Sequence, residues 1–185
     1  LVLVVLILFF AAANPNFPTM RNFARIAIAS TPARMIALGG TFVILMGSID
    51  LSMEGSVAVC AVLFAMLFTA LGGSLAGWGW LAIPGAMLVG AVFGAINGLV
   101  HVHLRIPSFM ASLSMGFVGI GLSLLITGGD RILVQDPAFR SLLTYRLGGF
   151  PLMTYVAVAA LLAAWFIQNR TTIGRNFYAV GGGED

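Results

Sequence analysis

The sequence predicts an all-α fold, a polytopic bundle of helices in a membrane, and three observations predict it. Hydrophobic residues make up 60% of the 185 residues, charged residues only 8%, and the mean hydropathy is +1.06. A soluble domain carries about 25% charged residues, so a chain this apolar needs lipid to cover it. The charges are also set apart: none lies between Arg34 and Asp50, and none between Glu54 and Arg105. The apolar residues between them fall into six runs, which predict about six transmembrane segments in one domain over 1–185.

The first run, Leu1–Ala13, would measure about 20 Å as a helix, short of the roughly 30 Å hydrocarbon core. A cleaved leader is the competing reading, but no basic segment precedes the run. Leu1 is not Met, and Gly181-Gly182-Gly183-Glu184-Asp185 carries no stop-like feature. Both ends are therefore expected to be cut. Asn14 to Arg34 predicts a short interfacial helix, with Pro18 before it and Pro32 ending it. The second and third runs, Met35–Ile49 and Gly55–Leu71, together would make a helix of about 55 Å, too long to cross once. They are expected to be two short spans, or a span and a re-entrant piece, broken at Asp50–Gly55. Trp78–Val100, Ile106–Thr127 and Gly149–Ile167 have spanning length. Asp130 to Gly148 reads as a polar connection with a turn at Asp136-Pro137, and Thr171 to Asp185 as a polar, glycine-rich exit.

The acids at the break are the most informative residues. A carboxylate near hydrocarbon is costly and usually faces a bundle interior or a water-filled path. The string Gly47-Ser48-Ile49-Asp50-Leu51-Ser52-Met53-Glu54-Gly55 has break residues on both sides, the pattern of a binding region or gate. Asp50 and Glu54, four apart, share a face if the segment is helical. Alternatively Asp50 or Ser52 caps the next helix, with Glu54 in its first turn. Ala86, Gly90, Gly94 and Gly98 form a stripe of small residues that lets another helix approach closely. Asn97 beside the stripe either bonds a neighbouring helix or lines a path.

Other chemistries find no support. His101 and His103 are two apart, without the spacing of a helical metal pair, and with Arg105 they read as an interfacial turn. Cys60 stands alone in an apolar run, as a small buried hydrophobe does. No nucleophile–base pair, zinc motif or phosphate loop is present. The net charge is +3 and the nine basic residues, all Arg, are scattered, with no stripe for nucleic acid. With both ends on one side, Arg105, Arg170 and Arg175 fall on that side, and Arg21, Arg25, Arg34, Arg131, Arg140 and Arg146 on the other. Charge alone would make the second side cytoplasmic.

Several strings in order carry a resemblance. They are Pro15-Asn16-Phe17, then Ala37-Leu38-Gly39-Gly40-Thr41-Phe42-Val43-Ile44-Leu45 leading into Ile49-Asp50-Leu51-Ser52. Next come Gly94-Ala95-Ile96-Asn97-Gly98-Leu99, Ile106-Pro107-Ser108-Phe109 and Thr127-Gly128-Gly129. The final string runs from Thr172-Ile173-Gly174-Arg175 to Gly181-Gly182. On these the chain resembles the permease subunit of bacterial ABC importers for ribose, xylose and related simple sugars. It departs at Glu54, where the common pattern goes directly to glycine and nucleoside-type permeases have Glu-Gly. It departs also at Ile120, where many members have arginine, and in being shorter than family members.

The resemblance implies a non-enzymatic subunit of the bacterial inner (plasma) membrane that dimerises and imports a monosaccharide. It implies a periplasmic sugar-binding protein that delivers the solute and ATPase subunits that consume ATP, with no cofactor or metal on this chain. On the residues themselves, Asp50, Ser52, Glu54 and Asn97 are expected at the translocation path or gate. The resemblance makes Thr172, Gly174, Arg175, Gly181 and Gly182 the lead-in to an ATPase-coupling segment, and so places Asn169–Asp185 in the cytoplasm. A nucleoside or branched-chain amino-acid permease, an ion-coupled secondary transporter and a non-functional fragment are the other readings.

Overall fold

The computed structural model describes residues 1–183; the last residues of the expected domain, Glu184 and Asp185, lie outside the described residues. The chain is helical: α1 Val2–Ala13, α2 Met20–Leu45, α3 Met53–Ala70, α4 Ala82–Leu104, α5 Ser108–Thr127, α6 Pro137–Thr144, α7 Leu152–Arg170 and α8 Thr172–Gly182. A 3-10 turn, Gly79–Leu81, leads into α4, and together they form one apolar rod. Among the described residues five helices are long and apolar enough to cross a membrane, and α1 is a shorter apolar helix. The polytopic bundle that composition predicts is what forms.

Packing is closest where side chains are smallest. A Cβ on Gly55 of α3 would collide with the Gly116 carbonyl of α5, and a Cβ on Gly119 would stand 2.6 Å from the Gly55 carbonyl carbon. Without side chains there, the two backbones touch, and the gain is dispersion along the whole contact. Around this seam Val59, Ala65, Phe68, Phe93 and Ala111 are buried, so α3 lies between α4 and α5. A second group joins α2 to α7 and α8, with the Phe42 and Phe177 rings 5.4 Å apart.

Three sequence expectations are corrected. Pro32 does not end a helix: α2 runs through it from Met20 to Leu45. Pro32 has no N–H for the Ile28 carbonyl, so α2 carries the proline at the cost of one intrahelical bond; the Ser30 and Thr31 hydroxyls donate to the neighbouring Ala27 carbonyl, at 3.2 and 2.8 Å. Arg34 therefore lies inside a span rather than between spans. The connection from Asp130 to Gly148 is also more than a turn. Asp136 caps α6 by accepting the Phe139 N–H at 2.6 Å, and the Phe139 ring packs, tilted, against Phe64 and Phe68, with centroids 5.5 and 5.7 Å away. After it a hairpin, β1 Arg146–Leu147 and β2 Phe150–Pro151, turns on Gly148-Gly149, both at positive φ. Finally, the polar exit is a helix, α8.

Two ends of the bundle follow. The start of α2, Asp136, α6, the hairpin and the start of α7 lie at one end. The other holds the end of α2, the start of α5, Arg105, Arg170 and α8.

Gly55→Leu should force α3 from α5 and lower stability in detergent by about 1–3 kcal/mol or more. Gly94→Leu, where a Cβ meets nothing within 4 Å, should stay within about 0.5 kcal/mol of the parent. Equal melting shifts for the two would refute the seam. A second expectation concerns acid. The Phe139 N–H, with help from Ser74 and Leu75, holds the Asp136 carboxyl below its ordinary value. A depressed carboxyl contributes stability above the unfolded value of about 3.9 and loses it as pH falls through the folded one. Fluorescence of Trp78 and Trp80 should report an acid transition of this cap that Asp136→Asn removes.

Candidate functional site

The break between α2 and α3 is built by three local devices. The first is a helix stop. Gly47 has φ +76°, and its N–H bonds the Ile44 carbonyl at 3.0 Å while the Ser48 N–H bonds the Val43 carbonyl at 3.2 Å. This is a Schellman cap, which needs a left-handed residue at the glycine. It turns the chain off α2 and sends Ser48–Ser52 back along α5.

The second device satisfies the backbone that has left the helix. The Ile49 N–H donates to Ser108 Oγ at 3.1 Å, and the Leu51 N–H to Ser112 Oγ at 3.0 Å. Ser112 in turn donates toward the Ile49 carbonyl at 3.2 Å. Ser108, Ser112 and Gly116 are four apart, on one face of α5. At Gly116 the same face has no side chain, and a Cβ there would lie 3.1 Å from the Leu51 carbonyl oxygen. So the segment descends along about two turns of α5 before α3 begins.

The third device is Asp50. Its Oδ1 accepts the Ser52 N–H at 2.8 Å and the Ser52 hydroxyl at 2.7 Å. Asp50 is thus not on a helical face with Glu54, because this turn holds residues 50–52 and α3 starts only at Met53. Ser52 occupies the N-cap position without a side-chain cap bond; Asp50 supplies the carboxylate to the turn. Glu54 lies in the first turn, where the helix dipole favours an acid, and its side chain is exposed.

Asn97 of α4 completes the cluster. Its Nδ2 donates to Ser52 Oγ at 3.4 Å, and its Oδ1 is buried with no partner. The structure therefore brings Asp50, Ser52 and Asn97 together and leaves Glu54 beside them. A buried acceptor without a donor is costly, and here it adjoins a carboxylate: the arrangement can receive a ligand that donates hydrogen bonds.

The other sequence candidates lie apart. Gly90 faces Cys60 Sγ of α3, 3.1 Å from where a Cβ would stand, whereas Gly94 and Gly98 meet open space among the described residues. Ala86 is half-buried. The tight glycine contact belongs to Gly55, Gly116 and Gly119. On the exit, Thr171 caps α8 by accepting the Gly174 N–H, and a Cβ on Gly174 would strike the Gln168 carbonyl. Gly181 rests on the Leu45 carbonyl at the end of α2, and Gly182 is open. Thr172 opens α8, and Arg175, in its first turns, is exposed. Sequence reasoning missed Ser108 and Ser112 as parts of the site. Their four-residue spacing, continued to Gly116, was the available signal.

A family model described as branched-chain amino acid transport system / permease component matches residues 22–185. Among curated proteins, the autoinducer 2 import system permease protein LsrC of Klebsiella pneumoniae is 37% identical over 181 residues, covering 97% of this chain and 51% of LsrC. The ribose import permease protein RbsC of Haemophilus influenzae is 31% identical over 186 residues, 98% of this chain and 56% of RbsC. The L-arabinose transport system permease protein AraH of Escherichia coli is 31% identical over 187 residues, 100% of this chain and 56% of AraH. The chain spans about half the length of the curated relatives it matches. No solved structure matches it.

Ser112→Ala removes the acceptor of the Leu51 N–H and should destabilise the break by about 1–3 kcal/mol. Amide exchange at Leu51 should accelerate while exchange within α4 stays unchanged. Unaltered exchange at Leu51 would refute the serine clasp.

Proposed function

Since the chain belongs to the branched-chain amino acid transport system / permease component family, we propose that it is part of the transmembrane subunit of an ATP-driven importer for a monosaccharide. It is a multi-pass protein of the bacterial inner membrane. The observation that carries the reading is the unwound segment Met46–Ser52, with Asp50, Ser52 and Asn97 gathered beside it, in a chain of this family. Ribose and arabinose, named for two of the relatives, are rich in hydroxyl donors. The unpartnered Asn97 Oδ1 and the Asp50 carboxylate are acceptors suited to such groups.

The chain makes and breaks no bonds of its own in this mechanism. Separate ATPase subunits hydrolyse ATP, a periplasmic sugar-binding protein delivers the solute, and a second permease subunit forms the other half of a dimer. The exposed face of α8, with Arg175, is the lead-in to the ATPase contact. Alternating access then repacks the helices around the path, and the break is the joint at which α2 and α3 change their relation. Asp50, Ser52 and Asn97 line the path there, with Glu54 at its rim.

The family description favours one second reading, a branched-chain amino acid as solute. Uptake in cells producing the whole permease with its ATPase and binding protein separates the readings. Ribose or arabinose should compete and leucine should not; competition by leucine alone would move the substrate to the amino-acid class. Uptake should survive a protonophore and stop when ATP is depleted, and the reverse pattern would overturn the ATP-driven mechanism. Asp50→Leu should lower uptake on the order of tenfold, the scale of about 1.4 kcal/mol, with membrane insertion unchanged. Normal uptake by this variant would remove Asp50 from the path.

A further inference from the structure

Two arginines meet at the connection between α1 and α2 with no acid beside them. Arg21 and Arg25, one turn apart on one face of α2, line a cavity of about 760 Å³ with Asn14, Asn16 and Asn22. That volume falls within the roughly 300–1,000 Å³ of small-ligand sites. No acid lines it. Among the described residues the acids are Asp50, Glu54, Asp130 and Asp136, and Asp136 is committed to the α6 cap. Like charges one turn apart repel each other, so an anion between them is held by both.

The cavity wall is tied together by the chain itself. Asn14 Oδ1 accepts the Asn16 N–H at 2.9 Å, and the Thr19 hydroxyl donates to the Asn16 carbonyl at 2.7 Å. Asn22 Nδ2 donates to the Phe17 carbonyl at 3.0 Å. The two arginine side chains take no part in these bonds and are exposed.

Depth identifies the surrounding medium. Helix α2 has 26 residues and a length of about 39 Å, about 9 Å more than the hydrocarbon core. Its last residues, Phe42 to Leu45, are apolar, so the excess falls at its start. Nine ångströms is about six residues, and Met20 to Arg25 are the first six. Arg21 and Arg25 therefore stand in the headgroup layer. Apolar surface begins directly beneath them. Phe17 of the cavity lies 5.7 Å from Phe10 and 6.4 Å from Phe23, each about one turn into its own helix. From Val2 to Phe10 every side chain of α1 is exposed.

We propose that this cavity binds an anionic phospholipid. Its phosphate sits between Arg21 and Arg25, its headgroup hydroxyls meet the asparagine amides, and an acyl chain lies along Phe10 and α1. A charged cavity continuous with bare apolar helix matches a molecule that has an anionic head and a hydrocarbon tail. A zwitterionic headgroup would bring its own cation toward the two arginines, so the site favours a net negative one. The inference rests on the membrane setting of the family and not on the solute carried.

The test is native mass spectrometry of the full chain released from neutral detergent holding equal amounts of phosphatidylglycerol and phosphatidylcholine. Phosphatidylglycerol adducts should be favoured about tenfold to thirtyfold, the scale of two arginines at an anionic headgroup. Arg21→Gln with Arg25→Gln should abolish the preference, and Arg21→Lys with Arg25→Lys should retain part of it. Arg140→Gln with Arg146→Gln removes the same charge at the same end of the bundle and should leave the preference intact. Excess glycerol phosphate, a head without a tail, should not displace the lipid. Equal binding of the two lipids, or a preference that survives in the Arg21 and Arg25 glutamine variant, would overturn the proposal. So would equal loss in the Arg140 and Arg146 variant, which assigns the effect to general surface charge. Displacement by glycerol phosphate would overturn it in favour of a free phosphate.

Discussion

Backbone that leaves a helix within a membrane must find every hydrogen-bond partner inside the protein, because hydrocarbon offers none. Much of this structure follows from meeting that demand over Ser48–Ser52. Hydroxyls of α5 take the N–H groups of Ile49 and Leu51, and Asp50 takes that of Ser52. Helix α5 must therefore run beside the break, with its serines and Gly116 on the facing side. The start of α3 is then held against the middle of α5, which is why Gly55, Gly116 and Gly119 are required to be small. An acidic residue becomes tolerable there because it works as an acceptor for the turn, and Asn97 bonds the same Ser52 hydroxyl that Asp50 holds.

The two groups of helices differ in what holds them. Around α3 the contacts are backbone on backbone, short and unforgiving. Between α2 and α7 they are side chains around an open groove, with Arg34 in it. The first group fixes the geometry of the polar cluster. The second presents surface that the described residues leave uncovered.

The spans were legible because hydrocarbon selects by run length, and an apolar run of about 20 residues has few other uses. The break was legible because Gly47 and Asp50 interrupt such a run. The reach of α2 back to Met20 was not: a proline and an arginine look like boundaries until the helix is seen to run through both in three dimensions. Nor could spacing decide which small-residue stripe meets a neighbour. Gly94 and Gly98 have the better motif, yet Gly116 and Gly119 have the contact, because the partner's position is a property of the bundle and not of the helix. Ser112 was overlooked for a related reason. A serine in a span usually bonds its own helix, and only the nearby broken backbone makes it essential.

Gly181 rests on the carbonyl of Leu45, two residues before the glycine that ends α2. The helix at the exit of the chain and the cap that begins the unwound segment therefore share one point of contact. A displacement of α8 toward the bundle bears directly on the last turn of α2, and through Gly47 on the backbone held by Ser108 and Ser112. The outer surface and the polar cluster are linked by about one helical turn instead of the length of a span. A side chain at position 181 would act as a wedge at that point, loosening the link without touching either surface it joins.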